Sequence, residues 1–215
     1  MNAGEIIHQE WLKAMVEMEK TPFFLAIEKK TFTAEHYAMF LREEYFNTHE
    51  NPEGLVLMAS HFKGEQGKLN KKFIRHSLSE SGHNQMAADD LSALGYAFEP
   101  LKRERPLVTT ETFNAVLIFQ VQHRNPITNL AYSYHLEHIA VAKGKLFLEH
   151  LLSIGIPMAA LSFLVEHTEA DVGHNLLNEE SLPSGIREWR SNRGPPQGHG
   201  ILFSGTSGDR VGDFG

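Results

Sequence analysis

The chain of 215 residues contains no cysteine, which removes disulfide scaffolds, thiolate metal sites and cysteine nucleophiles together. Excess positive charge is also missing: 20 Lys and Arg against 27 Asp and Glu leave a formal charge of -7. Phosphate neutralisation therefore has no basis, and neither a nucleic acid nor an anionic membrane is an expected partner. No apolar run is long enough for a membrane span, and residues 1–11 carry acidic residues early instead of a leader pattern, so a cytoplasmic place is expected. With 41% hydrophobic and 22% charged residues, the composition is that of a single globular domain with a real core, acting on a small molecule. Against only 2 Trp and 5 Tyr stand 13 His, the commonest transition-metal ligand and the side chain that titrates nearest neutrality. Where those histidines fall is the main question.

Strand alternation is absent before the C-terminal region, and helical periodicity dominates. Ile6, Ile7, Trp11, Met15 and Met18 step by three and four, as do Phe23, Phe24 and Ile27, which predicts two short helices. Thr33 is placed to cap a helix through Tyr37, Phe40, Leu41 and Tyr45 that ends near His49, with Pro52 opening the next. Gly64 to Gly67 should separate that helix from Leu69–Ser81, and a break is expected at Gly82. Residues 96–110, with Pro100 and Pro106, read as a connection. Thr110 is expected to cap a helix through Val121, Pro126 to open a long one ending before Gly155 and Pro157, and a last helix to run from about Met158 to Leu177. The expectation is an all-α bundle of about seven to nine helices over 1–182. From Pro183 to Gly215 eight of the 17 glycines gather with Pro195 and Pro196, and that glycine-rich tail, 183–215, is expected to be irregular.

Within the last predicted helix, His167, Asp171 and His174 are spaced four and three apart. At about 100° per residue they share an arc of about 60°, so two imidazoles and a carboxylate face one way, as a metal requires. A solvated polar stripe, or a helix with a His–Asp ion pair, would show the same triplet. His76, Glu80 and His83 repeat the spacing, and a glycine precedes the last histidine in both copies, Gly82 and Gly173. Composition alone predicts the pattern roughly 0.1 times in such a chain. Each copy adjoins an apolar face that would bury its polar edge, and a cation is the most effective partner for clustered carboxylates. Glu137, between Leu136 and Ile139, is the best candidate for a third contributor. Its neighbours Tyr132, Tyr134, His135 and His138 make this the most polar stretch of its helix; spacing leaves open whether Glu137 faces inward or water.

Several stretches resemble one family. TPFFLAIEKKTFTAEHYAMFLREEYF, opening at Thr21 and Pro22, resembles the start of heme-oxygenase-like helical proteins. ESGHNQMAADDLSALG, the Glu137 helix and HTEADVGH resemble their metal-binding branch, the non-heme diiron oxidases and oxygenases, across roughly residues 20 to 178. The resemblance implies a heme-oxygenase-like bundle holding two Fe(II) ions through a Glu-x2-His on one helix, a Glu on a second and a His-x3-Asp-x2-His on a third. Carried over to this sequence, Glu80, His83, Glu137, His167, Asp171 and His174 are the implied ligands, with no catalytic residue beyond them and with O2 as co-substrate. Three carboxylates against two ferrous ions would leave about one positive charge for a substrate anion or hydroxide. His76 is left either orienting Glu80 from one turn away or lying at the edge of the core. Where members of the family continue with helical sequence beyond the last ligand helix, this chain turns glycine-rich at Pro183.

The function so implied is oxidation of a small organic substrate, a fatty acid, amino acid or amine, by a diiron enzyme that is a homodimer by analogy. Phe113, Phe119, Phe147 and Met158 either line a lipid-like pocket or belong to the ordinary core. The missing cysteine speaks against relatives that hydrolyse thiamin precursors. A heme-degrading enzyme would need an axial histidine such as His8 or His36, and neither accounts for the acid and histidine set. The remaining alternative is a non-catalytic binding or regulatory protein that keeps the fold, and perhaps a metal, without turnover.

Overall fold

The structure, a computed structural model, describes residues 3–62 and 67–168. All regular structure among them is helical: α1 Ala3–Met18, α2 Pro22–Glu28, α3 Ala34–Ser60, α4 Gly67–Glu80, α5 His83–Ala93, the single turn α6 Phe98–Leu101, α7 Val108–His123 and α8 Thr128–Ser153. A 3-10 turn, Met158–Ala160, precedes helical residues 162–168. The all-α expectation is met. The tail expected over 183–215 lies outside the described residues, as does the C-terminal part of the last predicted helix.

Thr33 caps α3 as its sequence foretold: its Oγ1 accepts from the backbone N–H of His36, whose Nδ1 accepts in return from the Thr33 N–H at 3.0 Å. Pro52, however, opens no new helix. It sits inside α3, which runs unbroken for 27 residues. A proline there forgoes one backbone hydrogen bond and crowds the preceding turn, a cost of about 3 kcal/mol. Packing on both halves of α3 outweighs it, because α3 is the central element, in contact with α4, α5, α7 and α8. The Pro52 carbonyl is also engaged, accepting from Ser77 Oγ at 2.9 Å.

Helix α7 likewise departs from expectation, starting at Val108 and not after Thr110. Its cap comes from another helix: Glu43 of α3 accepts from the Leu107 N–H at 3.0 Å and from Thr110 Oγ1 at 2.6 Å. A carboxylate there meets orphan N–H groups and the positive end of the helix. The last helix is shorter at its start than expected, since Leu161 leaves helical geometry and the α-helical residues begin at 162.

Two apolar clusters form the core. Ile27, Phe32, Tyr37, Leu41, Leu91, Phe147, Leu151, Leu161 and Phe163 pack at one end of the bundle. Leu55, Met58, Phe62, Phe73, Val121 and Leu130 pack at the other. Both α3 and α8 contribute to each cluster, and between the two contributions both helices turn polar, through Glu44, Asn47 and Asn51 on one and Ser133 and Glu137 on the other. Phe147 is core, whereas Phe113, Phe119 and Met158 are 47%, 48% and 60% exposed, so these three neither line an internal pocket nor belong to the core. Among the described residues no helix is long and apolar enough to cross a membrane.

Candidate metal centre

Glu80 is the final residue of α4 and His83 the first of α5, with Gly82 between them at φ +103°. That backbone region costs an L side chain about 1–2 kcal/mol, and glycine enters it freely. The Glu-x2-His pair therefore spans a turn and does not lie along one helix. His76 and Glu80 still share a face of α4 at i,i+4, while His83 approaches from the far side of the break.

Glu80 is the hub. Its Oε1 lies 3.2 Å from His76 Nε2, its Oε2 accepts from Asn51 Nδ2 at 3.1 Å, and His83 Nδ1 stands 3.2 Å from the same Oε2, off the hydrogen-bonding axis. Glu137 of α8 turns inward, 6% exposed, and its Oε1 lies 3.3 Å from His76 Nε2. One imidazole thus bridges two buried carboxylates from different helices. Burial alone would pull the His76 pKa down, but hydrogen bonds and charge from Glu137 and Glu80 outweigh it and lift the value to about 9. Burial would raise the Glu80 carboxyl, yet His76 and His83 reverse that and hold it well below the usual carboxylate range.

His167 completes the cluster from the last helical segment. Its ring centroid is 4.6 Å from that of His83, and the two rings meet edge to face. Its Nδ1 lies 2.6 Å from the Phe163 carbonyl oxygen, an acceptor only, so Nδ1 is the donor and Nε2 is the nitrogen that a metal would take. Glu80, His83 and His167 each offer one ligand atom, and these atoms lie within 4.8 Å of one another. Imidazole and carboxylate donors together suit iron, and among such groups a buried carboxylate gains most from a cation. The residues present therefore fit a metal.

Of the six implied ligands, Glu80, His83 and His167 come together, and Glu137 joins them through His76; Asp171 and His174 lie outside the described residues. His76 meets Glu80, as an orienting residue one turn away would, and meets Glu137 as well. His135, which burial and the nearby His138 push to a lower pKa, and His138, whose Nδ1 lies 2.8 Å from the Tyr134 carbonyl, flank Glu137 outside this cluster. His8 lies 2.9 Å from the Tyr134 hydroxyl and His36 serves the α3 cap.

Two polar neighbours escaped the sequence. Asn51 was hidden by Pro52: reading α3 as broken there removes the register that puts Glu44, Asn47 and Asn51 on one side. Tyr132, whose hydroxyl donates to Asn47 Oδ1 at 3.1 Å, was noticed only as part of a polar stretch.

Comparison with known proteins agrees with this architecture. A crystal structure of a domain of unknown function with a heme oxygenase-like fold, from Shewanella denitrificans, matches with a TM-score of 0.70 at 23% identity, over 84% of this chain and 76% of that one. No protein of curated function matches the sequence. The family model of the iron-containing redox enzymes matches residues 38–181, a span that takes in most of α3, both sides of the Gly82 turn, Glu137 and His167. With the heme oxygenase-like fold and an interior cluster of imidazole and carboxylate donors, the chain belongs to the iron-containing redox enzyme family.

Proposed function

We propose that this protein is an O2-dependent non-heme diiron oxidase or oxygenase acting on a small organic substrate, a fatty acid, amino acid or amine. The observation that carries the proposal is the convergence of Glu80, His83 and His167 from three segments, with ligand atoms within 4.8 Å and with Glu137 sharing His76 with Glu80. Glu80, His83, Glu137 and His167 would hold the metal together with Asp171 and His174. Two ferrous ions bound there would supply the electrons for O2 activation. The chain's own groups do the rest. Asn51 and His76 orient Glu80, the Phe163 carbonyl fixes the His167 tautomer, and the apolar clusters on either side keep bulk water from the polar layer. A small substrate, no nucleic-acid or membrane partner, a cytoplasmic setting and a homodimeric assembly accompany the proposal.

One observation favours the rival, a non-catalytic protein of the same fold: His76, its pKa lifted to about 9, already offsets one of the two charges of Glu80 and Glu137 without any ion. Anaerobic Fe(II) loading separates the two. Uptake of about two equivalents, followed by visible absorption that grows only on admitting O2, is the result expected of the enzyme. No uptake, or iron that air leaves spectroscopically unchanged, would rule it out in favour of the binding protein.

A further inference from the structure

The cluster that binds metal in the proposal above depends on where the helical segment carrying His167 is anchored, and its anchor is a residue outside the cluster. Asp90, on α5, is fully buried. Its Oδ1 accepts from the Ser162 N–H at 3.1 Å and from Ser162 Oγ at 2.7 Å, and its Oδ2 accepts from the Phe163 N–H at 2.9 Å. These are the first N–H groups of that segment, which have no partner within their own helix. Just before them, Tyr37 of α3 donates its hydroxyl to the Ala160 carbonyl at 3.0 Å. The segment is thus gripped at its start from two helices.

Helical geometry makes this grip matter for the site. His83 and Asp90 are seven residues apart on α5, two turns and about 20° from alignment, so they share a face. His167 lies one turn beyond Phe163. Asp90 pairs with 162–163 while His83 faces His167, so the two helices run antiparallel with one rung at the cap and the other at the cluster. Phe163 also joins the rungs directly, since its N–H is held by Asp90 and its carbonyl by His167 Nδ1.

We infer that Asp90 is a positioning residue for the metal centre: by holding the Phe163 peptide, whose carbonyl meets His167 Nδ1, it sets the register and ring orientation of His167 against His83 and Glu80. This rests on the metal assignment proposed above. The test uses the full chain under anaerobic conditions with Co(II) as the probe, comparing the native protein with Asp90→Asn, which keeps one acceptor oxygen, and Asp90→Ala, which keeps none. Thr33→Ala, a cap removed from α3 away from the cluster, is the control for stability alone. We expect Co(II) affinity to fall about tenfold or more, further in Asp90→Ala than in Asp90→Asn, while Thr33→Ala lowers the melting temperature and leaves affinity within twofold. We also expect the exchangeable, hyperfine-shifted proton of His167 Nδ1, identified by its loss in His167→Ala, to shift or exchange faster in both Asp90 variants.

Cobalt affinity within twofold of native in the Asp90 variants, with that proton unmoved, would reduce Asp90 to an ordinary cap and overturn the inference while leaving the metal assignment standing. Failure of the native chain to take up cobalt would remove both. If Asp90→Ala does not fold, Asp90→Asn alone decides.

Discussion

Taking a carboxylate out of water costs several kcal/mol unless donors or a cation meet it, and this bundle meets its interior acids in different ways. Asp90 has three donors and Glu80 has Asn51 with two imidazoles. Glu44, one side-chain step from the same polar layer, has the Asn47 amide at 3.3 Å, an amide that the Tyr132 hydroxyl orients from its other end. Burial therefore dominates at Glu44, and its pKa is pushed up to about 7 against the help of Asn47. In the folded state Glu44 holds its proton across pH 4.5 to 7, where the unfolded chain has released it. Stability from this group is thus greatest below pH 4.5 and declines as pH rises to 7. The residue keeps some contact with water, so we expect a loss of about 1–2 kcal/mol and not the full linkage value. Glu44→Gln should remove that loss, making the variant more stable than native by about 1–2 kcal/mol at pH 8 and no more stable at pH 4.5. Urea unfolding at the two pH values checks it; equal shifts at both would show that folding does not raise the Glu44 pKa.

Among the elements, those defined by local chemistry were legible in the sequence and those defined by distant partners were not. The Thr33 cap, the Gly82 break, the end of α8 at Gly155 (φ +87°) and the run of α4 all follow from neighbouring residues. The passage of α3 through Pro52, the start of α7 at Val108 and the onset of helix at 162 do not, because packing decides the first and Glu43 and Asp90 decide the others across more than 60 residues of sequence. Gly82→Ala tests the turn between the two ligand helices. It should cost about 1–2 kcal/mol from the backbone alone and weaken metal uptake further by shifting His83; unchanged uptake would show that the turn has no part in the site. Gly144 tests the packing of α8 against the segment that carries His167. Within α8 alanine would ordinarily be preferred, but a Cβ there would collide with Thr168 Oγ1 and stand 3.3 Å from its Cβ. Gly144→Ala should therefore destabilise by about 1–3 kcal/mol despite its better helix propensity, measured by thermal melting. A gain in stability would mean that Thr168 turns aside without cost.

At the scale of the whole molecule, two apolar clusters enclose one polar layer, and among the described residues the layer holds His76, Glu80 and His83 of the first triplet with His167 of the second. The repeated His, acid, His pattern could be read without a structure because its residues share short stretches of chain. The meeting of Glu137 with His76, the support of Asn51 and the contact of His83 with His167 could not, since each joins segments 29 or more residues apart. The reading of Phe113, Phe119 and Met158 as interior failed for a related reason: helical apolar spacing does not say which face lacks a neighbour. The most direct test of the central claim is anomalous diffraction at the iron edge from crystals soaked anaerobically with Fe(II). Two peaks between α4, α5, α8 and the helix of His167, with Glu80, His83, Glu137 and His167 among their ligands, are the predicted result. A single peak, none, or iron bound elsewhere with Glu137 and His167 uninvolved would contradict it.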